Sequence, residues 1–203
     1  MRKLFEMGGV IAGAILIVFG IGALAMGVTG RNEVRDSIKR EAIVGTPDMT
    51  PAAIKQEATK AGLKGIDLPT CSVAGETITT GAEAKCFASY MRIHALEATG
   101  GLTYAQMGRF LDENGNQTSD ENKAAIDPKT KRPVENQARN LWVTETALAT
   151  ALNTSFFAER VALFSMVIGV ALFLSGIGFL VLAYLGVLRQ RQPAAGRAPL
   201  AAS

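Results

Sequence analysis

The sequence predicts an all-α membrane protein, an antiparallel two-helix transmembrane hairpin carrying a mainly helical extracytoplasmic domain. Three observations predict it. Met7–Val28 and Val161–Leu188 are apolar runs without a single charged residue, and each meets the roughly 20 residues a helix needs to cross a hydrocarbon core. Small residues recur every seven positions in both runs, at Gly13, Gly20 and Gly27 and at Gly169, Gly176 and Ala183. Between the runs the punctuation is that of helices, and the only two cysteines, Cys71 and Cys86, both fall there.

Residues 1–6 form a short tail and residues 7–28 the first span. A backbone inside a bilayer must satisfy its own hydrogen bonds, so a helix is the only form this run can take. Its basic start and Ala23-Leu24-Ala25 resemble a cleaved signal. The run is long for that role, however, and a retained anchor is expected. The two small-residue stripes match in opposite directions. A hairpin would set Gly13 against Ala183, Gly20 against Gly176 and Gly27 against Gly169. Close approach at such a stripe lets van der Waals packing replace the hydrophobic effect that lipid cannot supply. The same stripe could instead serve another copy or another subunit, and Gly9 with Gly13 offers a second contact of GxxxG type.

Residues 29–160 form the middle domain. Arg31–Val44 continues the first helix, with Val34 and Ile38 on one face, until Gly45 and Pro47. Thr50-Pro51 starts a helix that Gly62 ends. Leu63–Thr79 is a loop with room for a short strand. Thr80 and Glu83 make a capping box for a helix to about Thr99, stopped by Gly100 and Gly101. Thr103 and Gln106 repeat the start signal for a short helix to Leu111. Asp112–Pro133 is a long, polar, mobile loop. From Val134 to Leu188 no proline occurs and the first glycine is Gly169. One helix of about 50 residues, on the order of 80 Å, is expected there. Leu141, Leu148, Leu152 and Phe156 are its apolar stripe before the second span, residues 161–188. Residues 189–203 form a basic tail.

The formal net charge is +3, but the excess lies in the tails. Residues 29–160 carry 16 basic and 17 acidic side chains, a balance that excludes nucleic acid as a partner of the middle domain. Basic tails suit the cytoplasmic side of anionic lipid. Arg31, Arg35, Lys39 and Arg40 argue for a cytoplasmic loop, but loops longer than about 60 residues cross largely regardless of charge. A lone cysteine pair reads as one disulfide in an oxidising compartment. Both termini are therefore expected in the cytoplasm and the middle domain outside it.

Catalytic constellations are scarce. The single histidine, His94, shares a helix face with Phe87, Met91 and Ala98 and reads as a packing residue. With Cys71 and Cys86 it fits no usual zinc spacing. No GxSxG, phosphate loop, dinucleotide fingerprint or HExxH occurs. The only polar side chains in the spans are Ser165, Ser175 and Tyr184, which argues against an ion path within one chain. Asp112, Asn114, Asn116 and Asp120 stand at calcium-loop positions, but Gln117 replaces the required glycine and Lys123 the bidentate glutamate. A polar turn on Asn114-Gly115 is the simpler reading. No metal and no cofactor are expected.

The segment His94-Ala-Leu-Glu97-Ala-Thr-Gly100-Gly101-Leu-Thr-Tyr104-Ala resembles one found in a group of small actinobacterial two-span membrane proteins. Ala151–Leu182, entered through Asn153-Thr154-Ser155-Phe156-Phe157, is similar to that group's second span and its approach. The resemblance covers about a third of the chain; Leu102–Asn136 is longer here than the group's pattern. It implies a bacterial plasma membrane protein of the same two-span form. The group is often labelled an aromatic ring-opening dioxygenase. Such an oxygenase needs an iron site, typically two histidines and a carboxylate, and this chain has one histidine. The expectation is a non-enzymatic accessory or scaffold subunit of a homo-oligomer or larger envelope complex. The alternative is an extracytoplasmic module binding lipid or a small ligand. Expected partners are membrane lipid and a second copy or another membrane protein.

Overall fold

The computed structural model describes residues 2–185, with side chains from residue 7 onward. The basic C-terminal tail, the side chains of residues 1–6 and the end of the second span therefore lie outside the described residues. Four helices, α1 (Arg2–Arg40), α2 (Pro51–Lys60), α3 (Gly81–Ala98) and α4 (Ala138–Tyr184), carry most of the chain. Two strands of two residues, β1 (Phe110–Leu111) and β2 (Gln117–Thr118), pair antiparallel. The chain divides into two units, Met1–Thr29 with Ala162–Ser203, and Gly30–Val161.

In the first unit α1 and α4 are long and apolar enough to cross a membrane, with mean hydropathy of 2.5 in the apolar window of each. Only 11 % of the residues in each window are buried. A core helix of a soluble domain would hide far more of its apolar surface. The helices run antiparallel, but in a register one heptad away from the expected one. A Cβ added to Gly13 would stand 2.8 Å from Gly176 O, and one on Gly20 2.7 Å from Phe173 N and 2.8 Å from Gly169 O. Gly27 faces Ala162 and Met166, whereas Ala183 is buried without serving as the partner of Gly13. A seven-residue repeat matches small against small equally well after a slide of two turns, about 10 Å, so size alone could not select the register.

Gly20→Leu is expected to force these helices apart, because the added side chain meets backbone rather than a flexible tip. Val18→Leu, at a position 69 % exposed, should leave them together. Cysteines replacing Gly20 and Gly169 should crosslink within one chain in membranes. Crosslinks formed only between chains would contradict the pairing.

In the second unit the start signals act as read. Thr50 caps α2 by accepting from Ala53 N, and Thr80 and Glu83 form a complete capping box on α3. At the other end of α3, Gly100 N donates to Glu97 O and Gly101 N to Leu96 O, both glycines at positive φ. That paired closure satisfies two orphan carbonyls and turns the chain out of the helix. Tyr90, Ile54, Ile78 and Val73 form the fully buried centre, each large aliphatic contributing about 1.5–3 kcal/mol on burial.

Three expectations are corrected. The Thr103 start signal is real, with Gln106 Oε1 accepting from Thr103 N and Oγ1, but it closes a single turn rather than a helix. The chain then enters β1, held beside Thr118 where Gly108 has no room for a Cβ. Asp112–Pro133 is a loop that contains β2, with side chains closing its turns: Asp112 accepts from Asn114 N and Asn116 N, and Asp127 from Lys129 N and Thr130 N. Finally, α4 begins at Ala138, where Asn136 Oδ1 accepts from Ala138 N, and not at Val134. Its buried face is Trp142, Glu145 and Leu152, while Leu141 and Leu148 stay exposed. One residue of offset rotates a helix face by about 100°.

Candidate functional site

Three elements of the second unit build the site. Glu159 of α4, two residues before its apolar run, is buried, with 8 % of its side chain exposed. Its Oε1 accepts from Arg31 Nε at 3.2 Å and Arg35 Nε at 2.7 Å, and its Oε2 from Gly81 N at 2.7 Å. Gly81 is the first residue of α3, so the carboxylate also faces the positive end of that helix. The backbone approach is close enough that a Cβ on Gly81 would lie 2.7 Å from Phe156 Cα. Burial pushes the Glu159 pKa up, but the hydrogen bonds from Arg35, Gly81 and Arg31 outweigh it and hold the carboxyl below its ordinary value of 4.5. This clamp fixes the end of α1, the start of α3 and α4 to one another within the unit.

The helices α1, α3 and α4 also line a cleft of about 630 Å³. Ile38 of α1, Ile43 and Met49 of the following loop, Phe87 and Met91 of α3, and Leu148 and Leu152 of α4 supply its apolar wall. Ser37, Glu41, Thr46, His94 and Ser155 supply its polar lining. The size and the mix fit the range of small-ligand sites, which are mostly apolar with a few polar groups.

His94 belongs to the cleft wall on one side and to a carboxylate pair on the other. Its Nε2 lies 2.8 Å from Asp48 Oδ2 and 3.6 Å from Glu57 Oε2. The Thr46 hydroxyl, hydrogen-bonded to Asp48, is the largest influence holding the Asp48 carboxyl below its ordinary 3.8. His94 was read as a packing residue; its ring nitrogen turns to α2 and the loop before it. Glu57 shares α2 with Ile54 and Ala58, which are buried in the core and fix the helix's rotation.

The rest of the resemblance segment is a corner. Trp142 Nε1 donates to Leu102 O at 2.9 Å and lies 3.3 Å from Thr99 Oγ1. Tyr104 stacks under the Arg139 guanidinium at 4.0 Å. Glu97 is exposed. Cys71 and Cys86 are joined as a disulfide, so neither is a thiolate ligand. Of the calcium-loop candidates, Asp112 accepts from Asn114 N and Asn116 N, and Asp120 Oδ1 accepts from Asn122 N.

The sequence reading did not single out Glu159, Asp48, Glu57 or Trp142. Glu159 had a signal, as an acid two residues before the apolar run with Arg31 and Arg35 just beyond the opposite one. Asp48 and Glu57 had none, because only the packing of α2 on α3 brings them to His94. No family model matches this chain, and no curated protein or solved structure does.

Proposed function

We propose that the protein is a non-enzymatic accessory subunit of a bacterial plasma-membrane complex, anchored by α1 and α4 with both termini cytoplasmic. The middle domain faces the oxidising side, a reading supported by the Cys71–Cys86 disulfide. The cleft is the observation that carries the proposal. Its occupant is an apolar helix or segment of another membrane subunit. Leu148 at the cleft is 48 % exposed, and Leu141, one heptad along the same face of α4, is 40 % exposed. A single acyl chain would fill the cleft and leave Leu141 bare, whereas a partner helix covers both.

A lipid is the second reading, favoured by the polar lining beside an apolar wall. Purification from native membranes in mild detergent, with native mass measurement and lipid analysis, separates the two. The accessory reading predicts a mass above one chain by a whole subunit, reduced to the single chain by Leu148→Glu with unchanged melting. An increment of 21.4 kDa would make the partner a second copy. A single chain carrying one lipid supports the alternative, and a single chain with nothing bound contradicts both.

A further inference from the structure

We propose that Asp48, Glu57 and His94 form a binding site for a divalent transition-metal ion of the zinc class. One ligand atom from each residue lies within 4.8 Å of the other two. His94 Nε2 is itself buried, on a side chain that is 31 % exposed, and Asp48 Oδ2 stands 2.8 Å from it. Donors this close together can serve as ligands of one ion, their lone pairs converging on a point between them. For metal–ligand bonds of about 2.0–2.1 Å in tetrahedral geometry, neighbouring donors are roughly 3.3 Å apart. The two separations from Nε2, 2.8 and 3.6 Å, bracket that edge.

The donor set narrows the ion. One imidazole with two carboxylates suits zinc, manganese or ferrous iron, whereas calcium and magnesium prefer all-oxygen shells. Three protein ligands leave a further position, and His94 also lines the apolar cleft. Two carboxylates beside one imidazole supply negative charge that a divalent cation neutralises. The supports are firm: α2 is capped by Thr50, and α3 carries His94 within a helix anchored by the capping box and the disulfide. The inference is independent of the accessory reading, since it needs no partner protein.

The test uses the full chain in detergent, with any histidine tag removed and metal stripped by chelator. Zinc chloride alone is titrated by calorimetry and by thermal melting. The expected result is one zinc per chain and a raised melting temperature, reversed by chelator. Glu57→Gln, at a partly exposed position, should weaken binding roughly tenfold or more while the zinc-free protein melts as before. His94→Gln should abolish binding, and absorption spectroscopy of bound zinc should show nitrogen and oxygen neighbours without sulfur. No uptake above the detergent blank, or uptake unchanged in both variants, would overturn the proposal. His94 is the only histidine in the chain, so no other imidazole can imitate the site.

Discussion

Glu159→Ala should destabilise the Gly30–Val161 unit by about 3 kcal/mol, the low end for breaking a buried ion pair. The low end applies because Arg31 and Arg35 are 36 % and 31 % exposed in their side chains and can regain water. Gly81 N has no such recourse, since its hydrogen bond to Glu159 is buried. Glu159→Gln keeps an acceptor for Gly81 and should cost about half as much. The same carboxyl makes stability depend on pH. Its pKa in the folded chain is depressed below 4.5. Its contribution is therefore fully present above about pH 4.5 and is lost as pH falls through the lower folded value. Chemical denaturation followed from pH 7 to pH 3 should show this decline in the parent and a smaller one in Glu159→Gln. An equal decline in both would contradict the clamp.

Loss of the disulfide should cost a similar amount. The bridge joins Cys71 to Cys86 across a sequence separation of 15, and is worth roughly 3 kcal/mol through restriction of the unfolded chain. Cys86 is buried in the core cluster, and the Tyr90 hydroxyl donates to the Cys71 carbonyl, so the bridge ties the loop to the centre of α3. Cys71→Ser with Cys86→Ser should lower the melting temperature measured in detergent. In native membranes the parent should react with an impermeant thiol reagent only after reduction. Free thiols trapped by alkylation in native membranes would contradict the external placement of this unit.

What the sequence disclosed, and what it withheld, follows from the range of each interaction. Thr50, Thr80 with Glu83, and Gly100 with Gly101 act on backbone groups three to five residues away, so their patterns could be read directly. The disulfide was legible because two cysteines admit one intrachain pairing. The hairpin register was not, because a heptad repeat is degenerate under a slide of seven residues. Glu159 with Arg31 supplies a polar marker on the same two helices, and a slide of about 10 Å would separate them. Trp142 was passed over for Leu141, since leucines at heptad spacing suggested a stripe. The helix instead buries the residue whose indole nitrogen finds Leu102 O. The Asp48–Glu57–His94 cluster spans residues far apart in the chain and follows from tertiary packing alone.

The central claim, that the cleft beside Leu148 receives another membrane subunit, is tested most directly in native membranes. A photo-crosslinking residue replaces Leu148, with a control at exposed Asn153, roughly 140° around α4. The account predicts one discrete adduct from position 148, equal in mass to the increment seen in the native complex, and none from position 153. Adducts to lipid alone, or equal labelling from both positions, would contradict it.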